Sequence, residues 1–102
     1  MTHVLVSHWQ EKVIFSPAGP QPQVVAESAK FKTIMAGLEP GQKIPPHPEA
    51  TAIYHVLDGS GWMQVDDERF AVAAGATVFT PEGAKRGIEA DSRLAFLATR
   101  LA

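Results

Sequence analysis

Gly41-Gln-Lys-Ile-Pro-Pro-His47-Pro-Glu49-Ala-Thr-Ala52-Ile-Tyr-His55-Val-Leu-Asp-Gly59-Ser-Gly61 joins two glycine turns through a proline-stiffened approach, one histidine and a short run of β-formers. Period-two alternation puts Ala52, Tyr54 and Val56 on one side of that run and Ile53, His55 and Leu57 on the other. Both sides are largely apolar, whereas a sheet with one wet face alternates apolar with polar. One side therefore has to line an interior, and the other has to pack on a second layer or a second subunit. A homodimer is the expected assembly.

The flanking sequence continues in the same style. Eight glycines and eight prolines are spread along 102 residues, so few windows could hold three uninterrupted helical turns. Short apolar, β-branched or aromatic runs bounded by turn residues predict strands at Lys12 to Ser16, Val24 to Glu27, Phe31 to Leu38, Ala52 to Leu57, Trp62 to Val65, Arg69 to Val72, Ala76 to Phe79, Arg86 to Glu89 and Leu94 to Thr99. Asp66-Asp67 suits a tight hairpin, and Pro40-Gly41 and Pro81-Glu-Gly83 place proline where its fixed φ favours a turn. The expectation is a single all-β barrel domain over residues 1–102. The first ten residues are read as an arm or an edge strand.

Composition removes several function classes. A net charge of -2 with scattered Lys and Arg gives no electrostatic footprint for nucleic acid or an anionic membrane. The absence of cysteine excludes disulfides, thiolate metal sites and a cysteine nucleophile. The first residues carry neither a basic segment nor a long apolar run, so a cytoplasmic protein is expected. There is no Gly-x-Ser-x-Gly elbow, no P-loop and no dinucleotide fingerprint. No catalytic residue can be assigned from the sequence.

Two stretches resemble the cupin family, whose members are small double-stranded β-helix (jelly-roll) barrels. The family's second motif is glycine, five residues, Pro-x-Gly, two residues, histidine, three residues, asparagine. Gly75-Ala-Thr-Val-Phe-Thr-Pro81-Glu-Gly83-Ala-Lys-Arg86-Gly-Ile-Glu-Ala90 keeps every spacing, with Arg86 at the histidine position and Ala90 at the asparagine position. Gly41, five residues and His47 match the opening of the first motif, and Val-Leu-Asp-Gly59 matches its close. Counting back from Gly59 puts Ala52 at the glutamate position. Two registers compete: His47 as first histidine with Glu49 replacing the second, or His47 as second histidine with Pro45 replacing the first.

In the metal-binding members, three imidazoles and a carboxylate converge on one divalent ion. Here the resemblance leaves one histidine, and a guanidinium neither deprotonates nor ligates a cation. The expectation is thus a barrel that binds a small molecule without a cofactor, in a pocket formed by His47, Glu49, Tyr54, Trp62 and Arg86. Arg86 would anchor an anion there or pair with Glu49 or Glu82. A divalent metal is the disfavoured alternative and would need His47, Glu49 and His55, although alternation turns His55 to the opposite face of its strand. An enzyme using His47 and Glu49, metal-dependent or metal-free, and a structural module without ligand are the competing functional readings.

Overall fold

The computed structural model describes residues 2–102. After a single turn of 3-10 helix at Trp9–Glu11, nine strands follow: β1 (Gln23–Glu27), β2 (Phe31–Leu38), β3 (Lys43–Pro48), β4 (Ala52–Asp58), β5 (Ser60–Val65), β6 (Glu68–Ala73), β7 (Thr77–Thr80), β8 (Lys85–Ala90) and β9 (Leu94–Leu101). They form a five-stranded sheet in the order β1-β2-β9-β4-β7 and a four-stranded sheet in the order β3-β8-β5-β6. All seven strand pairings are antiparallel. The all-β double-stranded β-helix expected from the sequence is the observed architecture. Among the described residues no helix is long and apolar enough to cross a membrane.

Alternation decides what each sheet buries. Ala36 and Leu38 of β2, Val56 of β4, and Leu94, Phe96 and Ala98 of β9 point between the sheets, where they meet Met63, Val72, Ile88 and Ala90. Full burial of side chains such as Phe96 and Leu94 contributes about 1.5–3 kcal/mol each. The residues in between point the other way. Met35 and Ala95 form a second cluster with Val13, and Val6, Trp9, Phe15 and Leu57 pack around it. The second layer required by the two-sided strands is therefore the chain's own N-terminal segment.

Side chains pin that cover. Gln42 donates from Nε2 to the Ser16 carbonyl at 2.7 Å. The Arg93 guanidinium lies 4.1 Å over the Phe15 ring while Nε bonds Glu39 at 2.6 Å. Gly37 makes the close approach possible, because a Cβ there would stand 2.7 Å from the Val13 side chain.

Three expectations change. Lys12 to Ser16 is not a strand: its burial comes from Val13 and Phe15 packing flat on the sheet, without a ladder of its own. Residues 2–10 add no edge strand; Val6 and Trp9 pack against the cover cluster while Val4 and Leu5 stay exposed. Met1, also part of that expected arm, lies outside the described residues. The proline-rich approach Lys43–Pro48, absent from the expected strands, forms β3. It can do so because β3 is the edge of its sheet and its register shifts between Ile44 and His47, leaving Pro45 and Pro46 out of the ladder. Gly87 of β8 accommodates this irregularity, since a Cβ there would meet the Ile44 carbonyl at 2.7 Å and the Pro46 nitrogen at 2.8 Å.

The expected hairpin at Asp66-Asp67 is a two-residue turn, with Val65 paired to Glu68 and Asp66 at φ 52°. Asp66 also ties the hairpin to β8. Its N–H donates to the Lys85 carbonyl at 2.7 Å, and its carboxylate accepts the Lys85 N–H at 2.9 Å.

Candidate functional site

Toward one end the two sheets separate and leave a cavity of about 280 Å3. Its walls are Ile34, Phe96, Ala98, Ala52 and Tyr54 from the five-stranded sheet and Ile44, Gly87 and Ile88 from the four-stranded sheet. His47, Glu49, Arg86, Lys32, Arg100 and Pro22 also line it. The body is apolar and the polar groups are few, which is the composition of a small-molecule site.

Arg86 dominates the polar side. It is 1% exposed, the largest of the fully buried side chains. Its Nε donates to the Ala84 carbonyl at 2.9 Å and Nη1 to the Ala50 carbonyl at 2.6 Å. Nη2 donates to the carbonyls of Pro81 at 2.8 Å and Glu49 at 3.2 Å. Four main-chain oxygens from the β3–β4 and β7–β8 connections thus converge on one guanidinium, which has five N–H donors in all. The expected carboxylate partner is not Glu49 or Glu82: carbonyl dipoles satisfy the buried cation instead. The Glu49 carboxylate turns to Arg100, with Oε2 3.3 Å from Nη1.

Glu49 and Tyr54 feel these surroundings in opposite directions. The Glu49 carboxyl is held below the ordinary carboxylate range by the Ala50 N–H, which it accepts at 3.1 Å, and by the charges of Arg100 and His47, with partial burial opposing them. Burial pushes the Tyr54 phenol above its ordinary value, while the neighbouring Arg86 cation pulls it back. A neutral phenol is therefore presented to the cavity at neutral pH.

Tyr54 is the chain's single tyrosine, so its titration can be followed alone. The phenolate absorbance should rise at higher pH in the native protein than in urea. Since folding raises this pKa, the associated stability is intact below the unfolded value of about 10 and is lost as pH rises through the folded value. A native midpoint at or below the denatured one would contradict the burial described here.

His47 faces Arg86 across the β3–β8 pair as its Cα partner. Its ring is exposed, and Nδ1 lies 3.1 Å from the Pro45 carbonyl, to which it donates when protonated there. Thus four of the five pocket residues expected from sequence, His47, Glu49, Tyr54 and Arg86, line one cavity. Trp62 does not. Strand alternation sends Met63 into the core and Trp62 to the outer face of the four-stranded sheet, 40% exposed, with the Arg69 guanidinium 4.9 Å over its ring.

The donor set does not fit a divalent cation. Of the three residues that a metal would require, His55 projects from the other face of β4, with Nδ1 2.9 Å from the Thr77 hydroxyl. Ala52 lies on the cavity side, and Arg86 fills the polar corner with a fixed positive charge. Among the described residues no three His, Cys, Asp or Glu side chains come together as a ligand cluster.

Sequence reading passed over Lys32 and Arg100. The signal was available in the alternation itself. The inward rows Leu38, Ala36, Ile34 and Leu94, Phe96, Ala98 each reach a cation after one more period, and these two cations are Cα partners in the β2–β9 ladder.

Comparison with solved structures returns the same architecture. A conserved protein of unknown function from Streptococcus pyogenes superposes with a TM-score of 0.85 at 20% identity, over 99% of this chain and 90% of that one. An RmlC-like cupin from Desulfovibrio desulfuricans gives 0.82 at 26% identity, over 99% and 95%. A polyketide cyclase from Streptomyces resistomycificus gives 0.71 at 20% identity, over 80% and 64%. No curated protein matches. A family model described as a cupin domain matches residues 34–99, from Ile34 in β2 to Thr99 in β9, and the chain belongs to that family.

Proposed function

We propose that this barrel binds a small, largely apolar organic molecule between its sheets without the help of a bound metal. The observation that carries the reading is the cavity of about 280 Å3, whose walls are apolar and whose polar corner is already occupied by the carbonyl-bound Arg86 cation. Side chains leave this space open. Tyr54 offers a neutral hydroxyl inside it, and His47 and Glu49 stand at its edge. Tyr54 and His47 orient a ligand by hydrogen bonding.

The test combines metal analysis of the purified protein with thermal-shift screening against small aromatic and aliphatic compounds. A compound that binds the native state alone, supplied at about 100-fold its Kd, stabilises it by about 2.7 kcal/mol. For a domain of this size that raises the Tm by roughly 10 °C or more. Stoichiometric iron, nickel, manganese or zinc would overturn the metal-free reading. A screen without a single shift would leave a structural module. Turnover of a bound compound, abolished in His47→Ala or Glu49→Gln, would make the protein an enzyme.

A further inference from the structure

We infer that Lys32 and Arg100 recognise the carboxylate of a small organic acid whose apolar end points inward, and that Glu49 occupies Arg100 until such an acid arrives. This inference rests on the cavity-binding reading and adds to it the ligand's charge, its orientation and the residues that select it.

Three observations support it. First, Lys32 and Arg100 are direct cross-strand partners on the inward face of β2 and β9, and both line the cavity. Side chains so placed have Cβ atoms about 4.5–5.5 Å apart, and like charges there repel. Holding them together at the rim of an apolar space is unfavourable unless an anion lies between them.

Second, the one carboxylate lining the cavity is Glu49, and its contact with Arg100 is loose. At 3.3 Å it is longer than the about 2.7–2.9 Å of a tight charged hydrogen bond. Among the described residues Lys32 forms no ion pair. Glu27, the β1 partner of Lys32 in the ladder, neither lines the cavity nor forms an ion pair with that lysine, so among the described residues the two cations have one weakly held anion in the cavity. A ligand carboxylate could take the place of Glu49 on Arg100 and reach Lys32 as well.

Third, the rows that end in these cations lead inward through Ile34 and Ala98 to the buried Phe96. A carboxylate at the rim thus places the attached hydrocarbon against apolar wall. Arg86 is not the anchor, because four main-chain oxygens take four of its five donors and it is itself buried.

Calorimetric binding of benzoate and hexanoate, compared with benzamide and hexanamide, tests the inference on the unmodified protein. The acids should bind at least about tenfold tighter than their amides, as expected for charge-assisted hydrogen bonds. Arg100→Gln and Lys32→Gln should each weaken the acids by about tenfold and leave the amides unchanged, whereas Glu49→Gln should tighten the acids severalfold by removing the competitor. Equal affinity of acid and amide would overturn the inference while leaving the cavity-binding reading intact. So would equal losses for both in Arg100→Gln and Lys32→Gln, or weaker acid binding in Glu49→Gln. Failure of all four compounds to bind would sink both.

Discussion

Arg86→Met should lower the stability of the barrel by about 3–5 kcal/mol, since hydrogen bonds from a charged donor contribute about 1.5–3 kcal/mol each and four are removed with partial compensation. Methionine fills much of the space but donates nothing. The carbonyls of Ala50 and Ala84 would lose the guanidinium donor, while those of Glu49 and Pro81 would keep only the N–H groups of Gly83 and Ala84. Unsatisfied buried acceptors cost about 1–3 kcal/mol each, and loop movement that lets water reach some of them limits the total. Against the about 5–15 kcal/mol that a native domain has in all, this is a large fraction.

Arg86→Lys separates charge from geometry. An ammonium keeps the cation but offers three donors from one point, so it cannot span carbonyls from two connections. Its loss should fall between that of methionine and zero. Urea denaturation with an unchanged slope is the measurement. A loss below about 1 kcal/mol for Arg86→Met would mean that the four bonds contribute little.

Gly59→Ala should be comparably damaging for a different reason. Gly59 sits at φ +82° in the turn between β4 and β5, where a left-handed backbone costs other residues about 1–2 kcal/mol. A Cβ there would also run into the Arg93 carbonyl oxygen and approach the Leu94 Cα to 2.9 Å. These are main-chain atoms at the start of β9 and cannot swing aside as a side-chain tip would. The combined loss should exceed about 3 kcal/mol, because overpacking adds about 1–3 kcal/mol to the backbone cost.

Gly75→Ala is the internal comparison. It shares the positive φ, at +94°, but nothing lies within 4 Å of its added Cβ, so only the conformational cost should remain. Equal losses at the two positions would rule out the steric account.

The fold was legible because its punctuation was. The glycines of the Gly75-to-Arg86 motif mark the turns on either side of β7, where Gly75 and Gly83 both take positive φ, and alternation in Ala52 to Leu57 pointed to packing on both faces. Lys43–Pro48 was missed because prolines argue against a strand interior, and sequence alone does not reveal that a strand lies at an edge. Lys12 to Ser16 was misread for the converse reason: Val13 and Phe15 are buried by packing on a sheet, which leaves the same local pattern as membership in one.

The site was half legible. His47 and Arg86 came from motif spacing, and their adjacency follows from strand order. Arg86's partners could not be foreseen, since main-chain carbonyls leave no mark on side-chain identity. Trp62 has the aromatic character of a pocket wall, but period-two parity turns it to the outer face. Parity was the better guide, and followed one step further along β2 and β9 it also finds Lys32 and Arg100.

Pro45, Pro46 and Pro48 lie on the uncovered border of the four-stranded sheet. Exposed borders invite stray chains to add themselves as extra strands, a common beginning of aggregation. Three residues without N–H groups give a newcomer little to bond, so the prolines that disguise this strand in the sequence also keep it from recruiting its neighbours in solution.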